Sequence, residues 1–310
     1  YTQVWFYWRY EDGWRHVPPD YTFWGTAQEY QGRDVTVVYR DVDEKLALDI
    51  GVNVEGWVSS ACGAILPCGD LPHISIHIMP DDTLSKPEWD NTNRWRLNIP
   101  SPYVVRARSD RPFSGQIVID TAESVARRLV EESGGAFNPN IYPQDAYYLR
   151  PSVVSWLTGL FAQVNTNAHL IASLATNYGS AKVGELLAAL RTDATTQAFI
   201  TVTGAPTLDA ANLDWRDFLT WRLALEAELR QRGDLASFKA LYTAEADGLA
   251  TDRFNAAPPG DAPQPLVTHV EKGVALDGVP QLTALVRTRE DAPEERVLFR
   301  LVGTSWKRAN

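Results

Sequence analysis

Apolar and polar residues alternate along this chain with two different periods, and the change of period outlines its elements. Ile74, Ile76 and Ile78 alternate with His73, Ser75, His77 and Met79, which predicts a half-buried strand. Val35 to Tyr39 predicts a short strand, and Ile117-Val-Ile119 a buried one, with residues 80–115 irregular between. At Asp120 the spacing becomes three and four. Ala122, Val125, Leu129 and Val130 form a buried stripe, and Asp120 with Glu123 fits a capping box. Glu123, Arg127 and Glu131 make a ladder of opposite charges, joined by Arg128 and Glu132, before Gly134-Gly135 ends the helix. Asp43 to Val58 also reads as helix, despite Gly51 and Gly56.

From Pro151, which suits a first helical turn, the chain is mostly helical. Val153, Trp156, Leu157, Leu160, Phe161 and Val164 fall at three- and four-residue spacing on one helix, and Asn167 to Tyr178 forms the next, closed by Gly179. Ser180 caps Lys182 to Arg191, with Val183, Leu186, Leu187 and Leu190 inward. Asp214 to Arg232 is a long amphipathic helix with Phe218, Trp221, Leu225 and Leu229 inward, and Asp234 caps another holding Phe238, Leu241 and Tyr242. After the Pro-rich link Ala257 to Pro265, an antiparallel meander is expected near 266–276, 281–289, 295–302 and 305–309, with Asp277-Gly278 as one turn.

The two ends resemble each other. Residues 4–17 place aromatic-rich strands on either side of a Glu-Asp-Gly turn, a hairpin signal. With a one-residue offset, Val4, Phe6 and Trp14 match Val297, Phe299 and Trp306. Tyr1, Trp5, Tyr7 and Trp8 put large rings on both faces of a terminal strand, a kind of strand that is normally covered.

Bulk properties narrow the function. A formal charge of −10 argues against nucleic-acid binding, which needs a basic surface. No run approaches the ~18 apolar residues of a membrane span. The chain begins Tyr-Thr-Gln, with no signal peptide, as a processed product or the ordered part of something longer would. Its two cysteines, Cys62 and Cys68, lie close together, which suggests a disulfide loop in an oxidising compartment; the alternative is two unrelated buried thiols. His73 and His77 are near enough to these cysteines to weigh a metal site. On a strand, though, residues four apart sit about 13 Å from each other, too far to share one ion unless the strand bends sharply.

Asp120 to Gly134 followed, after a loop, by Trp156-Leu-Thr-Gly-Leu160 resembles the layout of the gluzincin (peptidase-MA-like) metallopeptidases. In that family the first helix carries H-E-x-x-H and the second a Glu just before its Gly. Two His at i and i+4 converge on Zn²⁺, with Glu as general base. Here that region holds Glu123, Arg127 and Arg128, with Thr158 before Gly159, and no His lies between Asp120 and Gln163. Protonated Arg has no lone pair for zinc. The stretch Ala168-His-Leu-Ile-Ala-Ser-Leu-Ala-Thr-Asn-Tyr-Gly179 also resembles the helical subdomain of these proteins. The last hairpin, ending in Trp306-Lys307, resembles that of NTF2-like (SnoaL-like) domains, and helices followed by a curled antiparallel sheet fit the same family.

The resemblances imply an α+β chain: a mixed small sheet plus helical gluzincin-like domain, then helices with a curved antiparallel sheet. The implied boundaries are 1–19, the closing hairpin of an upstream NTF2-like domain; 20–212, the peptidase-like domain without its zinc site; and 213–310, an NTF2-like domain. The first expectation is a non-catalytic extracytoplasmic binding or scaffold protein with no cofactor. It would engage a protein partner or its own copies, with any membrane tether outside this chain. A second is an enzyme or small-molecule binder using an NTF2-like pocket, with Trp221, Tyr242 and His269 as candidates and Asp247 or Asp252 as the acid. A third is a self-assembling surface protein built on the aromatic hairpin.

Overall fold

The structure is a computed structural model that describes residues 4–17, 21–71, 73–105, 110–134, 145–189, 197–256, 265–288 and 292–310. It is an α+β protein. The chain divides into two compact units: Tyr1–Glu132 with Leu157–Asn165, and Ser133–Trp156 with Thr166–Asn310.

The first unit holds a hairpin, β1 (Phe6–Tyr10) and β2 (Gly13–Val17), a one-turn helix α1 (Tyr21–Trp24), and a five-stranded sheet of order β3-β4-β5-β7-β6. β3 (Ala27–Gln31) runs antiparallel to β4 (Val35–Arg40), and β6 (Glu88–Trp89) antiparallel to β7 (Arg96–Pro100). β4, β5 (Ile74–Met79) and β7 are parallel. A parallel pair needs a long crossover, and α2 (Glu44–Ala64) supplies it between β4 and β5. Leu46, Ile50, Val54, Trp57, Val58 and Ala61 form its buried stripe. Gly51 is required there, because a Cβ would collide with the Tyr30 ring on β3. A further helix, α3 (Gln116–Ser133), buries Ala122, Val125, Leu129 and Val130 as the periodicity predicts.

The second unit is helical, then antiparallel. Its described helices are the first part of α4 (Asp145–Ala162), α5 (His169–Tyr178), α6 (Ala181–Ala189), α7 (Gln197–Thr203), α8 (Arg216–Arg232), α9 (Leu235–Ala240) and α10 (Asp247–Asn255). The meander β8 (Leu266–Val274), β9 (Pro280–Arg287), β10 (Glu295–Val302) and β11 (Ser305–Arg308) forms one curved four-stranded sheet. Val267, Leu282, Ala284, Val286, Val297, Phe299 and Trp306 are buried. Helix α8 ends at Gly233, whose backbone is left-handed, and Asp234 caps α9 by accepting from the Ser237 N–H at 3.0 Å.

A buried ion pair ties α8 to β11. Both Glu226 oxygens accept from Arg308 Nη1, at 3.0 and 2.9 Å, and the side chains are 10% and 3% exposed. Arg222 donates to the Trp306 carbonyl at 2.8 Å. The backbone of Arg308 is bracketed in turn: its N–H donates to Leu241 O at 2.8 Å, and its carbonyl accepts from the Thr243 N–H at 2.9 Å.

Several expectations are corrected. Ile117 to Ile119 are helical rather than a strand: Gly115 turns the chain with a left-handed backbone, and α3 starts directly after it. Asp120 therefore lies inside the helix, where it accepts from Gln116 Nε2 at 2.7 Å instead of forming a capping box. Pro151 sits within α4, not in its first turn. Leu160 and Val164 are exposed, because the buried side of α4 runs through Val153, Trp156, Leu157 and Phe161, and Gln163 ends the helix with a left-handed backbone. Residues 80–115 contain β6 and β7, whose pairing comes from the sheet rather than from local pattern. Tyr1, Gly135, Leu190 and most of the Pro-rich link lie outside the described residues.

Two predictions follow from buried charge. Glu226→Ala leaves Arg308 without its carboxylate and lowers stability by about 3–5 kcal/mol in urea unfolding. Asp43, at the start of α2, is 1% exposed; its Oδ1 accepts from Ser101 Oγ at 2.7 Å. Burial raises its carboxyl from the ordinary 3.8 to about 6. The folded chain thus keeps a proton that the unfolded chain has released. The associated stability is complete below the unfolded value and lost as pH rises through about 6. The neutral isostere Asp43→Asn matches the parent near pH 3.5 and exceeds it by about 3 kcal/mol at pH 7.5, measured as paired denaturation curves.

Candidate functional site

The helix that resembles a zinc-binding one is occupied by other chemistry. Glu123 and Arg127 form an exposed ion pair on α3. Arg128 is mostly buried, pairs with Glu131 at 3.3 Å, and lies with its guanidinium 4.8 Å from the centre of the Trp89 ring. Trp89 comes from β6, and its indole N–H donates to the Ser124 carbonyl at 3.0 Å. Arg94 reaches Glu132 in the last turn. Thr158 is buried in α4. The Ser124–Arg128 face is thus packed under an indole ring. Among the described residues, no group of three or more His, Cys, Asp or Glu is arranged to hold a metal ion.

The histidines on and beside β5 have found hydroxyl partners instead. His73 Nε2 is 2.5 Å from Thr36 Oγ1, and His77 Nε2 is 2.9 Å from Ser75 Oγ. Partial burial lowers the His77 pKa, with Arg96 adding to the effect. Cys62 and Cys68 are joined in a disulfide, with their Cα atoms 5.3 Å apart, closing the loop after α2.

Of the three pocket candidates, the fold brings two together. Tyr242 is 2% exposed and stacks on Phe238 at 5.3 Å, in a core cluster against which Trp221 packs. Burial raises the Tyr242 phenol above its ordinary range. His269 is elsewhere: exposed on β8, it lines an open cleft of about 430 Å³ with Asn212, Asp214, Trp215, Arg216 and Lys272. Asp247 and Asp252 are exposed, and Asp247 is paired with Lys239 at 2.8 Å. Tyr242 and Trp221 therefore serve the core, while His269 keeps company that local reading missed. The clue available was the alternation Asn212-Leu-Asp-Trp-Arg216, with a polar residue at every second position running into the start of α8.

The chain matches no protein-family model, no curated protein and no solved structure. Its surfaces must speak for it.

The hairpin carries a run of large exposed rings. Its base is anchored: Val4 N–H donates to Tyr103 O at 2.9 Å, and Phe6 meets the rings of Phe23 and Trp24. Beyond the base, Trp5, Tyr7, Trp8, Tyr10 and Trp14 are 45–67% exposed. His16 touches Trp5 and Tyr7 edge-on, at 5.3 and 5.5 Å, and Arg15 covers Tyr10 at 5.1 Å. Trp5, Tyr7 and Trp14 thus share one face of the hairpin with His16, while Trp8 and Tyr10 share the other with Arg15. No helix among the described residues is long and apolar enough to cross a membrane.

The native protein should show no reactive thiol in denaturant and two after reduction, read by thiol titration. Free thiol before reduction would contradict the Cys62–Cys68 bond.

Proposed function

We propose that this is a non-catalytic extracytoplasmic protein that works by binding another protein through its aromatic hairpin. On this reading its first part is a peptidase-MA-like domain that has lost its zinc site, followed by an NTF2-like part. The observation that carries the binding role is the cluster of exposed rings from Trp5 to Trp14 on an anchored two-stranded sheet. Trp, Tyr and Arg are the side chains that dominate binding energy at protein interfaces. Exposed strand edges and large apolar patches are normally covered in a working protein. The disulfide is compatible with an oxidising compartment. The α3 face, with Arg127 and Arg128 where ligands would be needed, supports a silent site.

A pocket enzyme has less support, because Tyr242 and Trp221 are core residues. Self-assembly draws on the same hairpin, and one experiment separates it from binding a different protein. Mass is measured by light scattering across concentration for the parent and for Trp8→Ala and Trp14→Ala. A concentration-dependent mass that either variant abolishes makes the partner a second copy. A constant monomer directs the search to another protein, which the parent should bind at least ~10-fold more tightly than either variant. Equal capture by parent and variants overturns the role of the hairpin. One equivalent of bound zinc, with peptide cleavage lost on chelation, overturns the non-catalytic reading.

A further inference from the structure

Asp43 stands at the N-terminal end of α2, yet its carboxylate caps nothing there. It is turned into the first unit, where Oδ1 accepts from the Ser101 hydroxyl at 2.7 Å. Oδ2 is enclosed and has no hydrogen-bond partner among the described residues. The charges nearest in sequence are engaged elsewhere or face solvent: Asp41 accepts from the Thr26 hydroxyl and from Gln28 Nε2, Lys45 reaches the Asp110 carbonyl, and Arg40 and Glu44 are exposed. On α1, which packs against this corner, Trp24 is buried and uncharged. Among the described residues no charged side chain acts on Asp43; besides burial, the Ser101 hydroxyl is the group that does. A buried carboxylate with no cation and one unbonded oxygen is costly, and the neutral acid is the cheaper form.

The hydroxyl that serves Asp43 also serves the hairpin. Ser101 Oγ accepts from the Tyr103 N–H at 3.3 Å, and Tyr103 O accepts from the Val4 N–H at 2.9 Å, the bond that anchors the hairpin base. The Ser101 carbonyl accepts from the Val104 and Val105 N–H groups at 3.1 and 3.2 Å, which closes residues 101–105 into one turn. The Tyr103 ring meets Phe23 and Trp24, and both of these meet Phe6 on β1. Asp43 and the hairpin base therefore lean on the same turn from two sides.

We propose that Asp43 is a pH-sensitive latch for the aromatic hairpin. Neutral, it leaves the 101–105 turn closed and the hairpin held at its base; ionised, it draws water into the turn and releases the Val4–Tyr103 anchor. The direction follows from linkage. In the closed turn the carboxyl keeps its proton up to about pH 6, and once hydrated only up to the ordinary 3.8. Opening therefore becomes easier by about tenfold per pH unit across that interval and levels off above it. The latch sets how firmly the rings are presented for the binding role proposed above. It is read from the anchor itself, so its failure and the failure of that role are separate results.

The test is amide hydrogen exchange of the whole ¹⁵N-labelled chain between pH 4 and 7, each rate corrected for the intrinsic pH dependence of exchange. Val4 should be less protected than Ile76, in the middle of the five-stranded sheet, because it exchanges by local opening. Its protection should fall about tenfold per pH unit from pH 4 to 6, roughly a hundredfold in all, and stay level above. Asp43→Asn should abolish that slope and leave Val4 better protected than in the parent at pH 7. His16→Gln should retain the slope, because His16 lies on the ring-bearing face and not at the anchor. The proposal is overturned by Val4 protection that is absent or independent of pH, by a slope that survives in Asp43→Asn, or by one that disappears in His16→Gln. Val4 protection equal to that of Ile76 also overturns it, since the hairpin is then released only when the whole unit unfolds.

Discussion

Within the second unit, the constraint on which most else depends is the buried pair of Glu226 and Arg308. Removing two charges from water costs several kcal/mol each unless the partners meet in good geometry and their remaining groups are bonded. Here both conditions hold. Arg308 gives one nitrogen to both Glu226 oxygens and its Nε to Asn310 O, while its main chain is bonded to Leu241 and Thr243. One side chain therefore sets the register of the edge strand, the position of α8 and the path of the segment after α9. The same bonds cover β11, an edge that would otherwise present unpaired backbone groups. Trp306 is fully buried beside this pair and meets Trp215 at 5.9 Å.

The hairpin at the other end of the chain shows what happens when a similar pattern lacks such a partner. Tyr10 pairs with Gly13 and Arg9 with Trp14, as Val302 pairs with Ser305 and Leu301 with Trp306. Trp14 and Trp306 thus occupy equivalent places next to a two-residue loop. Aligned by register, Tyr7 corresponds to Phe299, so the likeness in sequence is one residue out of step with the likeness in structure. Trp306 is covered, whereas Trp14 is 67% exposed. The difference is context: β10 and β11 extend a sheet already packed on α8, but β1 and β2 form a sheet of their own. An uncovered Trp retains its capacity to bury apolar area, and that capacity is the basis of the binding role proposed for this end.

The α3 face around Ser124 and Arg128 is closed by packing as well as by residue type. Trp89 and Arg128 fill the place from two elements at once, one through a hydrogen bond to the α3 backbone and the other by lying over the ring. Histidines placed at Ser124 and Arg128 would lie under the indole.

Much of the α+β architecture was legible in sequence because burial on one side of a regular element leaves a period. The isoleucines of β5, the α3 stripe, the closing meander and the Gly233 and Asp234 signals that separate α8 from α9 all follow from local pattern and local backbone chemistry. The disulfide was suggested by the spacing of Cys62 and Cys68 and by the absence of other cysteines. Tertiary structure decided where pairing or cover came from far along the chain. β7 owes its strand form to β5 beside it, and β6 to β7 in turn, and Ile117 to Ile119 became helical despite their β-branched side chains because Gly115 starts α3 there. Tyr242 was committed to the core, and His269 was placed with Lys272, Asn212 and Trp215 across a strand and a helix start. Periodicity records which face of an element is buried, but not what buries it; whether a Trp like Trp14 or Trp306 ends in solvent or in a core is settled only by the neighbours that the fold delivers.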